Sequence, residues 1–208
     1  MKQARGREFL DFFRDIDERL GKENLAKKIA LYIFGGAAVV IAYGSKRGTL
    51  DIDAYIEDRV IAGKLLEWAG QGSELEKKHG LYFHNANTEI MLIETPDWKE
   101  RSVEILSGKL KHVQVMALGK EDLILSKLSR YNDRDREDIQ FITGKYNIAP
   151  NKLIAYYKSA RLAVCWPEAF DTAPAQALYF VGNLGTLDTT FNIVLREHFG
   201  LKPRSFAG

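Results

Sequence analysis

The most constraining stretch of this chain is a short apolar run, Ala30-Leu31-Tyr32-Ile33-Phe34, closed by Gly35-Gly36 and followed at once by small and branched residues from Ala37 to Tyr43. This order predicts a buried strand, a tight glycine turn and a short helix, because glycine tolerates the backbone that a sharp strand-to-helix turn needs. Downstream, Leu50 to Glu57 alternates, with Leu50, Ile52, Ala54 and Ile56 on one side and Asp51, Asp53, Tyr55 and Glu57 on the other. That is the period of a half-buried strand.

The rest of the chain sorts by period. Phe9, Phe13, Ile16 and Leu20 mark one face of an amphipathic helix over about Glu8 to Leu20. A helical stretch is predicted from Val60 to Lys78, then strands at Leu81 to Asn85, Glu89 to Ile93 and His112 to Met116. Turn signals separate them at Asn85-Ala86-Asn87, Thr95-Pro96-Asp97 and Ser107-Gly108-Lys109. From Lys120 onward apolar residues recur at helical spacing, interrupted at Gly144 and Pro150, and Pro167 to His198 reads as two helices around Gly182 to Gly185. The expected class is therefore α/β (α+β), a small mixed sheet with flanking helices followed by a helical C-terminal part. Its expected division is an α/β domain over 1–118, with the N-terminal helix, and a helical domain over 119–208.

Composition narrows the class of function. Thirty basic residues against 28 acidic ones give a net charge of +2, so no global field recommends nucleic acid as a partner, though a local basic cleft stays open. Cys165 is the only cysteine, which leaves no intrachain disulfide or thiolate zinc cluster and makes oxygen ligands the expectation for any metal. The apolar stretch Ile29 to Tyr43 is too short to span a bilayer and is broken by its glycines. With no apolar segment behind the basic N-terminus, the expected location is the cytoplasm.

Asp51 and Asp53 project from the same face of their strand, about 7 Å apart along the backbone, where both carboxylates can converge on one cation. Hard oxygen ligands select magnesium or manganese; charged pairs also decorate ordinary solvent faces. Gly35-Gly36, placed between a strand and a helix start, lets phosphates approach backbone N–H groups that the first helical turn leaves unpaired, or simply permits a turn.

Taken together, Phe34-Gly35-Gly36-Ala37-Ala38 and Arg47-Gly48-Thr49-Leu50-Asp51-Ile52-Asp53-Ala54 resemble the signature of the polymerase-beta-like nucleotidyltransferase superfamily. More narrowly, they resemble the bacterial branch that includes the abortive-infection and toxin-antitoxin nucleotidyltransferases and their uncharacterised relatives. A second block, Ala117-Leu118-Gly119-Lys120-Glu121-Asp122-Leu123-Ile124-Leu125-Ser126-Lys127-Leu128 with Arg130 and Arg134-Asp135-Arg136-Glu137-Asp138-Ile139, is similar to that family's helical motif. The resemblance covers roughly Leu31 to Ile142.

It implies a transferase that moves a nucleoside monophosphate from a nucleoside triphosphate to an acceptor hydroxyl on RNA, protein or a small molecule. It also implies Mg2+ or Mn2+ on Asp51 and Asp53, with Glu89 as the third carboxylate, and the triphosphate on Gly35, Gly36, Arg47, Thr49 and Arg130. Lys127 would neutralise phosphate charge, and the helical domain would complete the cleft. A toxin held by an antitoxin protein is within the resemblance. Arg134 and Asp138 also read as a helix salt bridge. The chain departs from the family at Ala37, near a phosphate-contacting serine of many members, at Glu89 in place of aspartate, and at Asn87 in place of lysine.

A nucleotide-binding or protein-interaction module without turnover is the alternative class. For an RNA acceptor the basic candidates are Lys109-Leu110-Lys111 and Lys202-Pro203-Arg204, with Tyr156, Tyr157, Trp166, Tyr179 and Phe180 as stacking or core aromatics. His79, His84, His112 and His198 have no ligand or triad spacing and read as solvated or satisfied.

Overall fold

The alternation in the first half of the chain produces a five-stranded mixed sheet. The computed structural model describes residues 6–23, 25–85, 95–165 and 174–206. In chain order they run α1 (Gly6–Leu20), β1 (Ile29–Phe34), α2 (Gly35–Ile41), β2 (Asp51–Tyr55), α3 (Arg59–Ala69), α4 (Glu74–His79), β3 (Tyr82–Asn85), β4 (Val103–Ile105), β5 (Val113–Ala117), α5 (Lys120–Ser126), α6 (Asp133–Lys145), α7 (Pro150–Cys165) and α8 (Pro174–Phe199). The expected strand Glu89 to Ile93 and the turn at Ala86-Asn87 lie outside the described residues.

The sheet order is β3-β2-β1-β5-β4. β1 pairs antiparallel with β2 and parallel with β5, β2 pairs parallel with β3, and β4 pairs antiparallel with β5. The chain divides into two compact units, Met1–Ile90 with Arg101–Leu118 and Met91–Glu100 with Gly119–Gly208. The first holds the sheet with α1 to α4, the second the helices α5 to α8.

In the sheet unit, α1 buries Phe9, Phe12, Phe13, Ile16 and Leu20, and the rings of Phe12 and Phe13 lie 5.6 and 6.4 Å from that of Phe83 on β3. The polar face of α1 contributes one buried anchor. Asp17, only 8% exposed, accepts the backbone N–H groups of Lys111, His112 and Val113 at 3.0, 2.7 and 2.9 Å, fixing where β5 begins.

The helical stretch expected over Val60 to Lys78 is divided into two helices, α3 and α4. Gly70 ends α3 in extended backbone, and a Cβ there would lie 2.3 Å from the Leu66 carbonyl oxygen. Ser73 then caps α4 by accepting the Glu76 N–H. β4, which pairs only three residues, carries no alternation long enough to read in advance.

In the helical unit the expected break at Gly182 to Gly185 does not occur: α8 runs continuously from Pro174 to Phe199. A glycine inside a helix costs about 1 kcal/mol relative to alanine, and packing against α7 offsets it. Tyr157 stacks on Phe191 with ring centroids 4.1 Å apart, and Phe206 closes over both. Tyr157 is thus core. No helix among the described residues is long and apolar enough to cross a membrane.

Candidate functional site

The register of two strands assembles the site. Phe34, the last residue of β1, pairs with Asp53 of β2, so the turn that follows Phe34 starts beside the Asp53 carboxylate. Gly35 occupies the left-handed region at φ +61, and a Cβ built on it would stand 2.8 Å from Asp53 Oδ2. Backbone conformation and carboxylate proximity both demand glycine here. At Gly36 the reason is different: a Cβ would meet Arg47 Nη2 at 2.6 Å, with Thr49 Oγ1 at 3.5 Å. The guanidinium lies directly over the turn. Phe34 supplies no side-chain cap to α2, and the first N–H groups of any helix lack intrahelical acceptors.

Asp51, exposed, and Asp53, half-buried, project from the same face of β2. Thr49 Oγ1 donates to Asp51 Oδ1 at 2.5 Å, which orients that carboxylate. Opposite Asp51 in the parallel pair stands Tyr82, whose phenol is raised above its ordinary pKa of 10.0 by burial and by the carboxylates of Asp51, Glu76 and Asp53.

Sequence reasoning missed His84. The β2–β3 register shifts between Ile52 and Asp53, so that Phe83 faces Ile52 and Asn85 faces Asp53; His84 is the extra residue. Its Nδ1 lies 3.2 Å from Asp53 Oδ1. A bulge re-aims a side chain in this way, and a histidine spaced by no motif gives no earlier signal of it.

The structure thus gathers Gly35, Gly36, Arg47, Thr49, Asp51 and Asp53, with His84 added, in the sheet unit. Glu89 lies outside the described residues. Among the described residues no three histidine, cysteine, aspartate or glutamate side chains converge as a closed metal cluster. The donors fit a divalent cation of the magnesium type, which dehydrates reluctantly and is typically held by one or two carboxylates plus substrate phosphates.

Lys127 and Arg130 belong to the helical unit, in a network of their own. Lys127 is 4% exposed, with Nζ 2.6 Å from Asp138 Oδ2 and 3.2 Å from Asp135 Oδ1. Arg130 forks onto Asp135 through Nε and Nη2, both at 2.8 Å. Burial pushes the Asp135 carboxyl up, but the Arg130 hydrogen bonds and the Lys127 charge outweigh it and hold the group below its ordinary 3.8. Asp135 also completes a capping box with Asn132 at the start of α6. Two cations here meet two buried carboxylates. Arg134, the residue expected to pair with Asp138, is exposed.

Of the stacking candidates, Tyr156 is half-buried beside Lys152 at 5.5 Å. Trp166 and the side chains of Tyr179 and Phe180 lie outside the described residues.

No curated protein and no solved structure matches the chain. Residues 7–166, which take in the glycine turn, both aspartates and the Lys127 network, match a family model described as a nucleotidyltransferase of unknown function (DUF6036), and the chain belongs to that family.

Proposed function

We propose that the protein is a metal-dependent nucleotidyltransferase that moves a nucleoside monophosphate from a nucleoside triphosphate to an acceptor hydroxyl. The observation that carries this reading is the contact of the glycine turn with the Asp53 carboxylate, at 2.8 Å from the position of a Gly35 Cβ. A phosphate group on the turn and a cation on Asp53 would then be neighbours.

Asp51 and Asp53 would hold Mg2+ or Mn2+. When bound, the cation neutralises phosphate charge and favours the ionised acceptor oxygen. The chain's own residues supply the rest. The Gly35–Gly36 backbone admits phosphate oxygens close to its N–H groups, and Arg47 adds a fixed positive charge above them. Thr49 and His84 each hold one carboxylate in orientation. The acceptor oxygen bonds to the α-phosphorus while the bond from that phosphorus to its bridging oxygen breaks, and pyrophosphate departs. Ala37 is buried and offers no hydroxyl, so phosphate recognition rests on the backbone and Arg47. Lys127 and Arg130 are assigned a positioning role, tying α5 to α6 through Asp135 and Asp138.

Purified protein is incubated with magnesium and α-labelled triphosphates, offered itself, bulk RNA and lysate as acceptors. Label is expected on one of them and lost in Asp53→Asn; transfer by that variant at the wild-type rate would overturn the metal assignment. Triphosphate binding with no transfer to any acceptor would favour the binding module instead, and growth arrest on expression that requires Asp51 and Asp53 would favour a toxin.

A further inference from the structure

From Ile139 to Pro167 the chain contains no aspartate or glutamate, yet it carries Lys145, Lys152, Lys158 and Arg161. Within the helical unit Lys145, Lys152 and Lys120 each lie over an aromatic ring. Lys145 Nζ lies 5.2 Å from the Phe141 ring and 5.3 Å from that of Tyr146. Lys120, the first residue of α5, approaches the same Tyr146 ring at 5.1 Å. Lys152 Nζ stands 5.5 Å from Tyr156 and bridges at 3.3 Å to Glu121, the neighbour of Lys120. The end of α6 and the starts of α5 and α7 thus form one row in which lysines alternate with partly exposed aromatic rings.

We propose that this row is a binding surface for single-stranded nucleic acid. Its composition is the one such strands need: cations for phosphates and flat apolar faces for unstacked bases. An exposed cation–π contact is weak, and base stacking on the same ring is stronger, so a base can displace the lysine from the ring and leave it to a phosphate. Glu121, the one acid in the row, is 9% exposed and already neutralised by Lys152. An acidic protein segment would use the lysines but not the rings. A strand held here is also a source of acceptor hydroxyls; that extension rests on the transferase reading, whereas the binding does not.

Fluorescence anisotropy with labelled 20-mers of uridine and of thymidine, and with a 20-residue polyglutamate, tests the surface between 50 and 200 mM salt. Lys120 and Lys145, with Lys152 already bridged to Glu121, give a log–log salt slope of about −1.4 on a single strand. Lys120→Glu/Lys145→Glu is expected to weaken oligonucleotide binding at least about tenfold, and Tyr146→Leu roughly 5- to 150-fold. Tyr146→Phe should bind like wild type, as should Lys109→Glu, the same charge change on the sheet unit. Asp53→Asn should also bind like wild type, which separates this surface from the transfer reaction. Tighter uridine binding assigns RNA, and equal binding assigns a sequence-tolerant strand surface; both sustain the proposal. No binding at 50 mM salt, equal losses in Lys109→Glu and Lys120→Glu/Lys145→Glu, or polyglutamate binding as tight as oligonucleotide would overturn it.

Discussion

Replacing Lys127 with methionine separates an architectural role from a phosphate-binding one. Methionine keeps most of the apolar stem and removes the ammonium that lies 2.6 Å from Asp138 and 3.2 Å from Asp135, two carboxylates 2% and 0% exposed. Arg130 still forks onto Asp135, so the main loss falls on Asp138. Removing one partner of a buried ion pair costs about 3–5 kcal/mol, a large share of the roughly 5–15 kcal/mol that folded proteins possess. For a chain of this length the unfolding midpoint should fall by about 6–20 °C.

The pH dependence has a sign. Asp135 is held below 3.8 in the folded state, so its ion pairs contribute stability above that pH and lose it as pH falls through the folded value. Methionine removes the Lys127 share of that contribution, and the gap between wild type and variant should narrow in acid. Circular dichroism melts at pH 7 and stepwise below pH 3.8, with Lys127→Met/Asp138→Leu as the partner variant, measure both effects, and the double variant should recover part of the loss. An unchanged midpoint in Lys127→Met, together with weakened triphosphate binding, would refute the architectural assignment.

Gly36→Ala should leave stability within about 1 kcal/mol, because the atom met by its Cβ is the far end of the Arg47 side chain, which can move. Triphosphate affinity by calorimetry should nonetheless fall as the guanidinium leaves the turn; unchanged affinity would remove Arg47 from the phosphate site. His84→Ala should raise the magnesium concentration for half-maximal transfer by about tenfold or more with little change in the melt, since the ring is 60% exposed; an unshifted activation curve would count against its hold on Asp53. Asp17→Ala removes the acceptor of three backbone N–H groups and should cost at least about 3 kcal/mol. Faster amide exchange at Lys111 to Val113 is the matching signature, and unaltered exchange would contradict it.

The elements around the site were legible because each has a local cause. Period-two alternation from Leu50 to Glu57 and the five-residue apolar run before Gly35 give β2 and β1 within a residue or two, and the amphipathic face of α1 follows from Phe9, Phe13, Ile16 and Leu20. The misses depend on contacts distant in sequence. Whether Gly182 and Gly185 break a helix is decided by packing of α8 on α7, which no local window contains. His84 reaches Asp53 through a register shift between two strands, and registers are set by the whole sheet. Lys127 is the C-cap of α5, which ends at Ser126, and its partners, eight and eleven positions on, lie across a turn to α6 whose path depends on the backbone at Tyr131, with φ 40.

The pairing of Phe34 with Asp53 also bears on the order in which the chain folds. That contact closes a loop of about 19 residues, whereas the parallel pairing of Ile29 with Val113 closes about 84. Loop-closure entropy makes the shorter one cheaper by about 1.3 kcal/mol. The hairpin-like half of the sheet can therefore form, with turn and carboxylate already adjacent, before β5 is docked and before α1 locks it through Asp17. Ligand added to refolding chains should accordingly find its turn in a partly folded species, in advance of the last strand.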